Sequence, residues 1–195
     1  TKGTAKITIN GGSFTGFTQV NSAIIGLAHK ASKPASLLLE INGGTFDLSN
    51  KNMDTAAMNG GACIGTGYAN GSSYPDSDIT INNGVILAKS ESSAAAIGGG
   101  AGSPTGNIYI NGGTVTAVAS LDGDAIGKGA YGKDGNIRMS GGTVKASSTG
   151  TGIAFGDPTL VNMDSDAVYL VNLTCPNAKQ VLVNGEDWKV PANHP

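Results

Sequence analysis

The stretch "ITINGGSF" at residues 7 to 14 returns as "LEINGGTF" from residue 39, "ITINNGVI" from 79, "IYINGGTV" from 108 and "IRMSGGTV" from 137. Subtracting the starting positions gives steps of 32, 40, 29 and 29 residues. A second motif recurs inside each unit: "AIIG" at 23–26, "ACIG" at 62–65, "AAIG" at 95–98, "DAIG" at 124–127 and a weaker "TGIA" at 151–154. Two motifs kept in step over five units define a repeat protein, in which each unit is one structural layer.

Alternation within the unit assigns its faces, because successive side chains of a strand point to opposite sides. Ile108 and Ile110 share one face and Tyr109 takes the other. After a bend at Gly112 and Gly113, Val115 and Ala117 face inward while Thr114 and Thr116 face out. One such unit cannot cover its own apolar side. Units stacked in register do so, and each backbone N–H and C=O then pairs with the neighbouring layer about 4.8 Å away. The expectation is an all-β, right-handed parallel β-helix (a solenoid) of about five coils. At equivalent corners Asn10, Asn42, Asn82 and Asn111, then Ser140, precede a glycine-containing bend, so their side chains are expected to hydrogen-bond along the rod as a ladder.

Composition agrees with thin layers. Of 195 residues, 5% are aromatic, 13% are charged and 31 are Gly, too few bulky side chains for a thick globular core. The net charge of −2 and the lack of any basic run exclude the electrostatic footprint of a nucleic-acid binder. No run approaches the roughly 18 apolar residues of a membrane-spanning helix. Cys63 and Cys175 match no metal-ligand spacing and read either as isolated thiols or as a disulfide.

The tail has a different pattern. From Ala167 onward "AVYLVNLTCP" and "VLVNGEDWKV" are apolar strands, the second split by Asn184-Gly185, a hairpin signal. The domain expectation is therefore repeats over 1–166 and a C-terminal β-hairpin cap over 167–195, with Trp188 as its apolar lid. No comparable cap precedes the first repeat, which suggests an exported segment of a longer, multidomain chain.

Tandem "ITINGGTVTA" and "AAIGGG" units resemble the right-handed parallel β-helix repeats of large exported bacterial surface proteins. They are also similar to a carbohydrate-binding β-helix group allied to polysaccharide lyases. The resemblance spans roughly residues 5–157 and implies a secreted or cell-surface module for adhesion or glycan binding. Members of the carbohydrate-binding group hold calcium through clustered acidic residues. Here "DGDAIG" at 122–127 is the one repeat with an acidic pair, making Asp122 and Asp124 the candidate metal ligands, though "LDGDA" reads equally as a polar turn.

Sugar binding requires an exposed strip with an aromatic face and nearby hydrogen-bonding groups. Tyr68 in "GTGYANG" and Tyr131 in "GKGAYGKDG" follow the Ile-Gly motif. Tyr74 stands in an insertion between Tyr68 and Asp78 that makes the second unit the longest. These three are the expected glycan contacts. The alternative is that the tyrosines only cover glycine-rich turns. Catalysis finds less support: the outward row Thr8, Glu40, Thr80, Tyr109, Arg138 separates Glu40 from Arg138 by three layers, about 14 Å, too far for a concerted site. His29 and His194 have no evident catalytic companion. A non-catalytic adhesion module binding polysaccharide without a required cofactor, a structural stalk, and a lyase or glycoside hydrolase are thus the readings in descending order. Ice binding would need a flat threonine array, which Asp47, Leu87 and Lys145 interrupt on the face of Thr116.

Overall fold

The computed structural model describes residues 3–29, 36–51, 59–69 and 77–156, together with the backbone of four short strands beyond them. Each of the first four coils contains three strands. Coil 1 has β1 (Thr4–Ile9), β2 (Ser13–Thr18) and β3 (Ile25–Gly26), and coil 2 has β4 (Ser36–Ile41), β5 (Thr45–Lys51) and β6 (Ile64–Gly65). Coil 3 has β7 (Ser77–Ile81), β8 (Val85–Glu91) and β9 (Ile97–Gly98), and coil 4 has β10 (Asn107–Ile110), β11 (Thr114–Ala119) and β12 (Ile126–Gly127). Coil 5 keeps β13 (Asn136–Met139) and β14 (Thr143–Ser148), and reduces its third strand to one bridge between Ile126 and Phe155. A further layer supplies β15 (Val161–Met163) and β16 (Val171–Thr174).

Like strands stack on like strands, giving a first sheet β1-β4-β7-β10-β13-β15, a second β2-β5-β8-β11-β14-β16 and a third β3-β6-β9-β12. All pairings in these three sheets are parallel, so the chain is a β-solenoid. The register confirms the spacing read from the sequence, because Ile7 faces Leu39, Leu39 faces Ile79, Ile79 faces Ile108 and Ile108 faces Ile137. Beyond the repeats, β17 (Val181–Val183) pairs antiparallel with β18 (Glu186–Trp188), as a hairpin turning at Asn184-Gly185 requires. The turn itself and the Trp188 side chain lie outside the described residues, as do Tyr74, Cys175 and His194.

The faces fall as the alternation demands. Ile108, Ile110, Val115 and Ala117 are fully buried, while Thr114 is exposed and Tyr109 half-buried. Each buried Ile or Val contributes roughly 1.5–3 kcal/mol from the apolar area it withdraws from water. Phe46 closes the core under Phe14, with the rings stacked at 4.9 Å and 5° apart. Cys63 is a free thiol buried between the carbonyls of Leu48 and Lys89, and burial pushes it up to about 12.

The corner ladder is present and directional. Asn42 Nδ2 donates to Asn10 Oδ1 at 3.0 Å, and Asn82 Nδ2 to Asn42 Oδ1 at 2.8 Å. Asn111 Nδ2 in turn donates to Asn82 Oδ1 at 2.8 Å, and the Ser140 hydroxyl to Asn111 Oδ1 at 2.8 Å. Coils 2 to 5 each donate toward the N-terminal end of the rod.

Two sequence expectations are corrected by the register of the third sheet. Phe155, rather than Ile153, faces Ile126, so the fifth copy of the Ile-Gly motif is "AFG" at 154–156 and not "TGIA". The extra length of the second unit also enters at two places. From Thr45 to Ile64 is 19 positions against 12 from Val85 to Ile97, an excess of seven. From Ile64 to Ile79 is 15 against 11 from Ile97 to Ile108, an excess of four. The larger insertion therefore precedes the third strand, and the one after Tyr68 is the smaller. Counting the period on the first strand alone could not separate them.

Candidate functional site

The corner that follows the third strand carries Tyr68 and Tyr131, two of the expected site residues. In coil 3, Ser103 N donates to Gly100 O at 2.8 Å, and in coil 4 Gly132 N donates to Gly129 O at 2.9 Å, closing equivalent four-residue turns. Their third residues, Gly102 and Tyr131, have φ of 72° and 60°. A negative φ followed by a positive one is the signature of a type II turn, whose third position favours glycine because a Cβ there is strained. Tyr131 thus occupies a glycine slot, and it is the one non-glycine residue with positive φ among those described. The residue is also 76% exposed. Strain of this kind costs about 1–2 kcal/mol. Beside the turn, Lys128 Nζ and Asp134 Oδ2 form a 2.7 Å ion pair.

Tyr68 is held in a different way. It lies four residues after Ile64, as His29 lies four after Ile25, and the two rings stack at 5.3 Å with planes 18° apart. His29 Nδ1 is 3.0 Å from the Tyr68 carbonyl oxygen, and Tyr68 N donates to Asn21 O at 2.7 Å. Sequence reading did not foresee this ring contact, and the shared offset of the two residues from the Ile-Gly motif is the signal that points to it. Tyr68 and Tyr131 share the corner but not a register position: Ala69 N donates to Ala101 O and Gly102 N to Ala130 O, which aligns Tyr131 with Gly102 and Ala69. Tyr68 is half-buried against His29, whereas Tyr131 is 76% exposed.

Asp122 and Asp124 sit where the third sheet ends. In coils 2 and 3, Thr66 N and Gly99 N donate to the carbonyls of Gly98 and Gly127 in the following coil. The equivalent Lys128 N donates instead to Asp124 Oδ2 at 3.1 Å. Asp124 Oδ1 accepts from Ile153 N at 3.0 Å, a bond that the first four coils make to a backbone carbonyl. The carboxylate therefore replaces two carbonyls at the edge of β12 and caps the sheet. Asp122 Oδ1 accepts the Thr151 hydroxyl at 2.6 Å from one coil further on. Among the described residues no group of three His, Cys, Asp or Glu side chains is placed to hold a metal. Burial pushes the Asp124 carboxyl up to about 6, outweighing the two N–H donors and Lys128, which act the other way.

The outward row of the first sheet is as read, with Glu40 three steps from Arg138 through Thr80 and Tyr109. No family model, curated protein or solved structure matches the chain.

Proposed function

We propose that this solenoid is a non-catalytic carbohydrate-binding module of a secreted or cell-surface adhesion protein, with its ligand seated at the coil 4 turn. The observation that carries the reading is Tyr131: a ring held in a glycine conformation and left 76% exposed. An aromatic face kept out in water at a conformational cost suits stacking on the apolar face of a sugar. The Lys128–Asp134 pair beside it supplies groups able to bond hydroxyls. Tyr68 is a supporting contact, since one side of its ring is already committed to His29. Tyr74 belongs to the same proposal as a sequence expectation. Bacterial origin and the glycan class rest on the repeat resemblance alone.

The test is a titration of the purified protein against plant, host and microbial polysaccharides, with and without calcium. Saturable binding that falls by about tenfold or more in Tyr131→Ala is the expected result. Dependence on calcium would assign Asp122 and Asp124 a second role. The same experiment decides the second reading, a stalk that separates other domains, which the unbroken parallel register favours. A stalk binds no polysaccharide under either condition.

A further inference from the structure

The N-terminal end of the rod differs from every inner layer. Three of the large exposed apolar side chains, Phe14, Phe17 and Val20 at 36%, 61% and 61%, belong to coil 1. Ile7, Ile9 and Ile24, which lie in or beside core columns, are only partly buried. Across residues 3–29 Lys6 is the single Lys, Arg, Asp or Glu, so burying this end would strand almost no charge.

Backbone polarity adds a second, independent observation. Gly3 O accepts from Ser36 N and Ile9 O from Asn42 N, so odd-numbered residues of β1 bond to coil 2. In a parallel strand alternate residues point both backbone groups the opposite way, which turns those of Lys6 and Thr8 to the open edge. Gly12 O accepts from Thr45 N, and the same alternation turns Thr15 and Phe17 of β2 outward. The corner ladder gives a third. Asn10 accepts from Asn42, and among the described residues its own Nδ2 has no acceptor, although each later asparagine of the ladder donates to the coil before it.

We infer that this end is a docking face for another parallel β-coil, one with an amide or carboxylate oxygen at the corner to receive Asn10 Nδ2. Strand edges that follow one another round a closed coil, at one level, are met together only by strands arranged in the same way. A flat sheet edge meets one of them, and a helix none. Phe14, stacked on Phe46 at 4.9 Å on one face, asks for an apolar side chain on the other.

The test grafts one regular coil onto the intact chain. Residues 105–133, one 29-residue repeat, are duplicated directly ahead of Thr4, which aligns the copied Asn111 with Asn10. The expected result is a higher melting temperature, amide exchange slowed by at least about tenfold at Lys6 and Thr8, and protection in the graft itself. Asn10→Asp keeps the oxygen that receives Asn42 and loses the outward donor. It should leave the ungrafted rod's melting temperature unchanged and make the graft's gain measurably smaller without abolishing it. A graft that stays unprotected on an otherwise intact rod overturns the inference, as does a gain indifferent to Asn10→Asp. Ungrafted chains that sediment as dimers with Lys6 and Thr8 already protected overturn it in favour of a second copy.

Discussion

Alanine at Gly98 is expected to destabilise the protein by roughly 4 kcal/mol or more, a large part of the 5–15 kcal/mol that holds a typical domain folded. Gly98 has φ of +129°, and a Cβ built there would fall inside contact distance of the Gly127 carbonyl. Gly65 meets Gly98 in the same way, and Gly26 meets Gly65, so the whole third sheet is a column of backbone against backbone. No flexible side chain in that column can give way, and the coil spacing is fixed by the two other sheets. The control is Gly11→Ala, where a Cβ meets nothing within 4 Å and the change should stay within about 0.5 kcal/mol. Urea unfolding followed by far-ultraviolet circular dichroism reads both. Wild-type stability in Gly98→Ala would mean that the third sheet is not packed as described.

Stability should also fall as pH rises from about 4 to 6, by up to about 3 kcal/mol, through Asp124 alone. The sign follows from the direction of the shift. The carboxyl binds its proton more tightly when folded, up to about 6 against 3.8 in the unfolded chain, because the fold buries it at 2% exposure. Protonation therefore favours the folded state. The contribution is complete below the unfolded value and lost once pH passes the folded one. Lys128 and Asp134 are the charged groups acting on it, and their effects are smaller than that of burial. Asp124→Ala removes this dependence but leaves Lys128 N and Ile153 N without their acceptor, a loss of about 1–3 kcal/mol for each such group. The variant should thus be weakest relative to the parent near pH 4, with the gap narrowing above pH 6. Denaturant midpoints across that range measure it. A constant gap between the two proteins would contradict the assignment of Asp124 as the titrating cap.

Much of the architecture was readable because a solenoid writes its packing into the chain coil by coil. Ile108 and Ile110 recur where Ile79 and Ile81 stood, and the parallel register aligns them. Asn10 and Asn42 are spaced by the same 32 residues as the strands that carry them, which is why the sequence alone predicts the ladder. Breaks in the period were harder to read. "TGIA" resembles the fifth motif because it retains Gly and Ile, whereas the residue that bridges to Ile126 is Phe155. Motif letters do not tell Tyr68 from Tyr131, since they do not show that Tyr131 fills the glycine slot held one coil earlier by Gly102. Nor did "DGDAIG" reveal that Asp124 stands in for two missing carbonyls, because that need arises only where the third sheet stops.

The most direct test of the central claim, that Tyr131 is held strained and exposed for a ligand, is to measure stability and polysaccharide binding together in Tyr131→Gly. Glycine fits the turn conformation without strain, so unfolding should become about 1 kcal/mol harder while saturable binding is lost. Binding retained at the parental level, or a variant less stable than the parent, would show that Tyr131 serves the turn rather than a ligand, and would contradict the account.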